Sequence, residues 1–357
     1  MSENGNMDVM DDVEEISEEE FYMQSGADKD QLLNQVRKAN SLSTIWKDGM
    51  FGLIVGDALG VPVEFTTRAD RKADPVVDMR EYGTHNQPAG TWSDDSSMAL
   101  ATLDSIRSLG EINYKDIMEK FASWCLHAEY TPFHEVFDIG NATSKAIMKY
   151  GKGAEPLDAG GKTEWDNGNG SLMRILPVCL YLVEREKRIC TSENEAIYAV
   201  HSVSALTHAH LRSQIACGIY YYLVKAIIEK KGSMIERLQI GMNNAYSYYR
   251  KDLANYSELS NYDRMIDLEE FKMLPENEIR SSGYVVDTLE AAVWCLINSN
   301  SYKEAVLKAV NLGDDTDTVG AVTGGLAGLF YGFENIPSEW IHVIQRREWI
   351  EQMMKGE

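Results

Sequence analysis

Apolar residues recur three or four positions apart over long parts of this chain, the spacing of one face of an α-helix. The clearest runs lie within residues 208–231, 284–298 and 99–109. In the first of them the repeating positions are Leu211, Ile215, Ile219, Tyr222 and Ala226. Convincing runs of alternating apolar and polar residues, which are typical of strands, are absent from the sequence. The pattern therefore predicts an all-α protein.

The same spacing predicts further helices, with less sharply defined ends. They lie at roughly 44–58, 113–127, 138–150, 171–186, 191–206, 233–252, 301–311, 317–332 and 338–353. The stretch 247–282 is polar and rich in tyrosine, and we expect it to be a surface excursion between helices. No linker or internal repeat divides the rest, so we expect one all-α domain over residues 42–357.

Charge sets the first 41 residues apart from this domain. The 357-residue chain has 34 basic and 56 acidic residues, a net charge of −22, and residues 1–30 alone contribute −10. This segment has few apolar residues, and its negative charges repel one another. We therefore expect a flexible N-terminal extension over 1–41, with a short helix from about Asp28 to Asn40. It is either a solvated tail or an arm that orders on a basic partner. The overall charge argues against a nucleic-acid binder and against an anionic membrane surface.

Cysteine usage and hydropathy indicate the compartment. The five cysteines are widely spaced, with no CxxC pair, which argues against a disulfide framework or a thiolate zinc site. No run of about 18 apolar residues and no secretory signal is visible. We therefore expect a protein of the reducing cytoplasm.

Two segments combine carboxylates and hydroxyls just before apolar helical runs. The first is GTWSDDSSM at 90–98 and the second is GDDTDTVG at 313–320. Such residues commonly cap helices. Three carboxylates within four residues, at Asp314, Asp315 and Asp317, exceed the needs of a cap and repel one another unless cations neutralise them. Hard oxygen ligands suit Mg²⁺, Mn²⁺ or Ca²⁺, but the spacing does not fit an EF-hand. Spacing alone leaves open whether the two segments meet.

Three other segments are weaker signals when taken singly. The glycine-rich turn NGNGSLMR at 167–174 could hold a phosphate or could simply enter a helix. Glu64, at the end of GDALGVPVE in apolar company, could be a desolvated general base or an ordinary polar residue. In THAH at 207–210 the two histidines do not share a helix face, so either would act alone, and a structural histidine is the simpler interpretation.

These five segments, in this order, resemble the ADP-ribosylglycohydrolase family, over about residues 44–335. The resemblance implies a compact, single-domain all-α fold with a central cleft that holds two Mg²⁺ or Mn²⁺ ions. The resemblance favours metal binding over simple helix capping as the role of the two acidic segments, although the same residues can do both. Motif position implies that the metal ligands are Ser93, Asp94, Asp95, Asp315, Asp317 and Thr318.

The resemblance also implies the reaction and the rest of the site. Water, helped by Glu64 or by a metal-ligating aspartate such as Asp95 or Asp315, would attack the anomeric carbon and release ADP-ribose from a protein side chain, most commonly arginine. An alternative route opens the ribose ring first. The diphosphate and distal ribose would bind to Gly168, Asn169, Gly170 and Ser171, with His208 nearby.

The chain departs from the family pattern at two positions. The family more often has threonine where Ser93 stands, and a hydroxyl is kept there. Asp314 is an additional acid, which either tightens metal binding or faces solvent.

Three further functions stay open at the level of sequence. An immunity or antitoxin-like protein could use the acidic extension to bind and block an ADP-ribosyltransferase toxin, with or without hydrolysis. The second is a hydrolase of small ADP-ribose conjugates. The third is a metal-binding pseudoenzyme.

Overall fold

The three clearest amphipathic runs all fold as helices in the computed structural model of the chain. The structure describes residues 29–187, 189 and 191–355, and of residues 29–43 it describes only the backbone. In chain order the helices are α1 Lys29–Gly60, α2 Arg68–Ala73, α3 Asp94–Leu109, α4 Tyr114–His127, α5 Asn141–Gly151, α6 Pro156–Ala159, α7 Leu176–Glu186, α8 Glu193–Ala205, α9 Leu211–Glu229, α10 Met234–Tyr249, α11 Tyr256–Leu259, α12 Leu268–Lys272, α13 Val285–Ile297, α14 Tyr302–Val310, α15 Thr316–Tyr331, α16 Ser338–Val343 and α17 Arg347–Lys355. The described residues contain isolated β-bridges but no strand. The all-α prediction is confirmed.

Some helix boundaries differ from those predicted. Residues 338–353 form two helices because Arg346, with φ of 48°, interrupts the helical backbone. The helix predicted from residue 171 begins at Leu176, where Pro177 occupies the first turn. The predicted helices near 28–40 and 44–58 are covered by the single helix α1. The predicted flexibility of the acidic extension concerns mainly residues 1–28, which lie outside the described residues.

The expectation for residues 247–282 was wrong in part. Several apolar side chains of this stretch are buried, namely Leu259, Tyr262, Met265, Leu268, Phe271 and Ile279. The stretch folds as short helical turns because its apolar residues are too scattered for one long amphipathic helix. It is therefore packed onto the helical core, and its end at Ser281 reaches the acidic turn before α15, where Asp315 N donates to Ser281 O at 3.0 Å.

The core is built around helices that are apolar on most faces. Helix α9 is buried along much of its length, and α13 and α15 are covered to a similar degree. A helix that is apolar on most faces belongs in the interior. Amphipathic helices lie outside this core: α10 packs against α9 and α13, whereas α4 packs against α3. Among the described residues, no helix is both long and apolar enough to cross a bilayer.

Glycines let α1 and α15 touch backbone to backbone. A Cβ at Gly56 would lie 2.1 Å from the carbonyl oxygen of Gly320, and one at Gly320 would lie 2.4 Å from that of Gly56. Gly52 and Gly324 form the same reciprocal contact, at 2.3 and 2.2 Å. Any side chain at these positions would push the helices apart. The crossing holds the C-terminal end of α1 against the first turn of α15.

We expect Gly56→Ala to destabilise the protein, because its methyl group would overlap the backbone of α15. The loss in free energy of unfolding should be about 1–3 kcal/mol or more. Gly151→Ala is the matched control, since a Cβ there meets nothing within 4 Å. Urea denaturation of both variants measures the difference, and equal stability of the two would contradict this account of the crossing.

Candidate functional site

The two acidic segments predicted from the sequence meet in space. Asp94 begins α3 with Ser93 as its N-cap, and Thr316 begins α15 with Asp315 as its N-cap. The hydroxyl of Thr318 donates to Asp95 Oδ2 at 3.3 Å, across 223 positions of sequence. The carboxylates at the start of α3 therefore lie next to those at the start of α15.

Ser93 and Asp95 are held by hydrogen bonds within the first segment. The Ser93 hydroxyl donates to Asp95 Oδ2 at 2.9 Å and accepts from the Asp95 amide at 3.3 Å. Asp57, on α1, accepts from the amides of Ser93 and Ser96 at 3.0 Å each. Burial raises the pKa of Asp57 to about 6 despite these hydrogen bonds. The capping interpretation is thus correct for this segment, and Asp57 is the anchor that orients it.

Asp315 and Asp317 come from the second segment. Asp317 is fully buried, and its Oδ1 accepts from the Thr318 amide at 2.9 Å. Asp315 accepts from Asn169 Nδ2 at 2.7 Å. Ligand oxygens of Asp57, Asp95 and Asp317 lie within 4.8 Å of one another, and so do those of Glu64, Asp315 and Asp317. We call these five residues the acidic centre; its two groups share Asp317.

Three oxygens of the acidic centre have no hydrogen-bond donor among the described residues. They are Asp95 Oδ1, Asp315 Oδ1 and Asp317 Oδ2, and all three are buried. A buried acceptor without a partner is costly, and a buried charge is costlier. Carboxylate oxygens are the ligands that Mg²⁺ and Mn²⁺ prefer. The residues present therefore fit a divalent cation.

The pKa values of these carboxyls reflect the same cost of burying a negative charge. Burial, and then the charges of Asp57 and Asp94, raise the pKa of Asp95 well above its usual value. Burial, and then the charges of Glu64 and Asp95, do the same to the pKa of Asp317. Without cations the centre favours protonated carboxyls, whereas divalent cations would favour the ionised form.

The neighbouring acids Asp94 and Asp314 differ from each other. Asp94 is buried beside the acidic centre but stands outside its two groups of oxygens. Burial, and then the charge of Asp138, raise its pKa well above the usual value. Asp314 is exposed, with φ of 59°, so its side chain faces solvent.

Glu64 enters the acidic centre from the turn Val61–Val63, which follows α1. Its Oε2 pairs with His85 Nε2 at 2.5 Å. Burial, and then the charges of Asp138, Asp315 and Asp94, raise the pKa of Glu64 to about 10. Glu64, His85 and Asp138 form a further group with ligand atoms within 4.8 Å. Sequence reasoning missed His85 and Asp138, which lie in irregular segments that carry no motif.

The glycine-rich loop reaches the acidic centre through Asn169. Its side-chain amide donates both to Asp315 and to Thr288 Oγ1, the latter at 2.9 Å. A Cβ at Gly170 would lie 2.8 Å from His208 Cε1, so the loop rests on the imidazole ring. Beside the loop, a cleft of about 470 Å³ opens, lined by Gly168 and Tyr284 among others.

His208 lies beneath the loop, and Ser171 is the residue of the loop that follows Gly170. His208 is buried, with Nδ1 paired to Thr207 Oγ1 at 2.8 Å, and burial lowers its pKa to about 3, so the ring is neutral. The buried Ser171 hydroxyl accepts from Ser204 Oγ at 2.9 Å. In this structure both residues support the loop from inside.

Comparison with known proteins adds to this geometry. The ADP-ribosylglycohydrolase family profile matches residues 45–356. The chain is 34% identical to the ADP-ribosylarginine hydrolase Tri1 of Serratia proteamaculans (strain 568), over 86% of this chain and 77% of that protein. It is 29% identical to the ADP-ribosyl-[dinitrogen reductase] glycohydrolase of Rhodospirillum rubrum, over 81% and 86%. A solved structure titled ADP-ribosylglycohydrolase-related protein complex superposes with a TM-score of 0.71 at 28% identity, covering 89% of this chain and 98% of that one.

The raised pKa values predict how the metal-free protein responds to pH. A carboxyl with a higher pKa in the folded chain than in the unfolded chain binds its proton more tightly when folded. Its stabilising contribution is complete below the unfolded pKa, about 4, and is lost as pH rises through the folded value. Those values are about 6 for Asp57 and about 7 for Asp138. We therefore expect this contribution, followed by urea denaturation, to decline between about pH 4 and 8 in EDTA.

Replacing one buried carboxyl tests whether the acidic centre causes this loss of stability. In EDTA at pH 8, Asp317→Asn should raise the free energy of unfolding by about 1–3 kcal/mol, because the amide avoids the cost of either burying a charge or holding the carboxyl protonated at that pH. Mn²⁺ should stabilise the wild type but not this variant. The exposed Asp314→Asn is the control and should behave as wild type in both conditions. Equal stabilisation of wild type and Asp317→Asn by Mn²⁺ would count against a cation in the centre.

Proposed function

The chain belongs to the ADP-ribosylglycohydrolase family and is an ADP-ribosyl hydrolase, and we propose that it removes ADP-ribose from arginine side chains of proteins in the cytoplasm. One relative, which is named an ADP-ribosylarginine hydrolase, supports the arginine acceptor. Another, which is named for ADP-ribosyl-[dinitrogen reductase], supports a protein substrate. The observation that carries the proposal is the buried acidic centre, which includes Glu64 and which the glycine-rich loop reaches through Asn169.

Two divalent cations, Mg²⁺ or Mn²⁺, fit the acidic centre. Its oxygens form two groups that share Asp317, and each group includes an oxygen without a donor among the described residues. We assign ligation to Ser93, Asp94, Asp95, Asp315, Asp317 and Thr318. When bound, such ions supply Lewis-acid polarisation of sugar hydroxyl and water oxygens.

Glu64 is the residue of this chain best placed to move a proton. Its carboxylate lies beside Asp315 and Asp317, and His85 fixes its orientation. We assign it the role of general base, assisted by Asp95 and Asp315, which orient the water. Water oxygen bonds to the anomeric carbon, its proton passes to Glu64, and the bond from that carbon to the guanidine nitrogen breaks. The departing guanidine then takes this proton, which leaves a free guanidinium and restores the Glu64 carboxylate.

The glycine-rich loop holds the remainder of the substrate. Gly168 and Gly170 allow close backbone approach to a diphosphate, and Asn169 ties the loop to Asp315. Ser171 and His208 contribute to ADP-ribose binding by holding the loop in its conformation. The neutral His208 ring fills the space beneath Gly170.

Release of ADP-ribose from an arginine-modified protein tests the proposal. With Mg²⁺ or Mn²⁺ the wild type should release it, and EDTA should abolish release. Asp315→Ala should lower kcat/KM by at least about 100-fold, because it removes one carboxylate of the centre. Asp314→Ala, next to it but exposed, should keep nearly full activity. A fully active Asp315→Ala enzyme would refute the assignment.

A second role is favoured by the charge of the extension. Residues 1–30 carry a net of −10, which suits a basic protein partner. We propose that this partner is an ADP-ribosyltransferase toxin, which the extension binds and blocks. Binding and hydrolysis can then coexist in one immunity protein.

Removing residues 1–28 separates the two roles. The shortened chain should lose capture of a purified ADP-ribosyltransferase yet hydrolyse a small ADP-ribosylarginine conjugate at the wild-type rate. Capture should also weaken steeply with added salt, because exposed charges are screened. Capture that survives the truncation would exclude this role for the extension.

A further inference from the structure

Three aromatic rings lie in a row beside Glu64, and the middle one is its partner His85. The Phe65 ring lies 6.0 Å from the His85 ring, and the His85 ring lies 5.0 Å from the Phe137 ring. Phe65 is 66% exposed, whereas the other two rings are partly buried. We call Phe65, His85 and Phe137 the aromatic collar. An exposed ring backed by two fixed rings offers a face to a ligand that is not part of the protein's own core.

The backbone of Phe65 is held in an unfavourable conformation. Its φ is 61°, in the left-handed region that bulky side chains rarely adopt. The Phe65 amide donates to the Asp314 carbonyl at 2.7 Å, and the Asp314 amide donates to the Thr66 carbonyl at 2.8 Å. These bonds lock the ring outward, beside Glu64. Strain that the surrounding structure maintains in this way is concentrated at functional sites.

Carboxylates complete the surroundings of the collar. Glu64 and Asp138 both lie in the group that includes His85. Asp138 follows Phe137 and also has a positive φ, 58°. Aromatic faces together with carboxylate oxygens are the groups that recognise a planar guanidinium, by cation–π contact and by hydrogen bonds to its N–H groups.

The position of Glu64 shows which part of the substrate the collar meets. Glu64 belongs both to the group with Asp315 and Asp317 and to the group with His85 and Asp138. It therefore joins the aspartates Asp315 and Asp317, beside which the ribose reacts, to the collar. The glycine-rich loop meets the acidic centre at Asp315, through Asn169, so the ADP part of the substrate is assigned to that side. The group that leaves the ribose points away from the ADP part, and the collar is the exposed surface next to Glu64 that is left for it.

We infer that the aromatic collar binds the acceptor arginine, with its guanidinium stacked on Phe65 and hydrogen-bonded to Asp138. This inference rests on the proposed function, because it concerns the arginine acceptor. Phe65 is then a specificity residue: it contacts the acceptor but not the ADP-ribose. Acceptors without a cationic plane would gain nothing from the ring.

Substitutions at Phe65 test the inference through two separate readouts. Phe65→Ala should lower kcat/KM for arginine-linked substrate by about 2- to 30-fold, while the Kd for free ADP-ribose stays at the wild-type value. Phe65→Leu keeps apolar bulk without a π face and should lose as much, whereas Phe65→Tyr should retain activity. Phe133→Ala removes another exposed ring, one with no ring contact to the collar, and should act as wild type.

The outcomes separate this inference from the proposed function. No release from arginine-linked substrate by the wild type would overturn both. Normal wild-type activity with an unaffected Phe65→Ala, or a fully active Phe65→Leu, would overturn the collar alone. Loss of ADP-ribose binding in Phe65→Ala, equal to its loss of activity, would also overturn it, since it would show a general effect on the site.

Discussion

The backbone contact between α1 and α15 is the constraint on which the site depends. Gly52 and Gly56 meet Gly324 and Gly320 at distances that no other residue permits. The same approach continues to the helix ends, where a Cβ at Gly60 would lie 2.3 Å from the Asp317 amide. The chain leaves α1 at this point through Val61–Val63, which delivers Glu64 directly to the carboxylates that begin α15.

A second constraint is electrostatic. The fold concentrates buried carboxylates and gives the protein's own hydrogen bonds to only some of their oxygens. Asp57 is satisfied by Ser93 and Ser96, whereas Asp95 and Asp317 keep oxygens without donors in the described part of the chain. Such an arrangement lowers the stability of the metal-free protein and favours cation binding. The metal-free protein is therefore less stable, because the fold buries these carboxylates at the place where the reaction needs their charge.

Much of this could be predicted from the sequence because the helices are strongly periodic and the acidic segments are local. The approach of Thr318 to Asp95 could not be read from spacing, since it depends on how α3 and α15 pack. His85 and Asp138 were missed because irregular segments place side chains without a repeating pattern. The stretch 247–282 looked like a surface loop because its buried residues, such as Tyr262 and Phe271, are too scattered to show a period.

We propose that the starts of α3 and α15 together form a site for a pair of divalent cations. Anomalous diffraction at the manganese edge, from crystals soaked in MnCl₂, tests it most directly. We expect two Mn²⁺ ions per chain, both at the acidic centre. An acidic centre without manganese at saturating concentration, or ions bound only elsewhere on the chain, would contradict it.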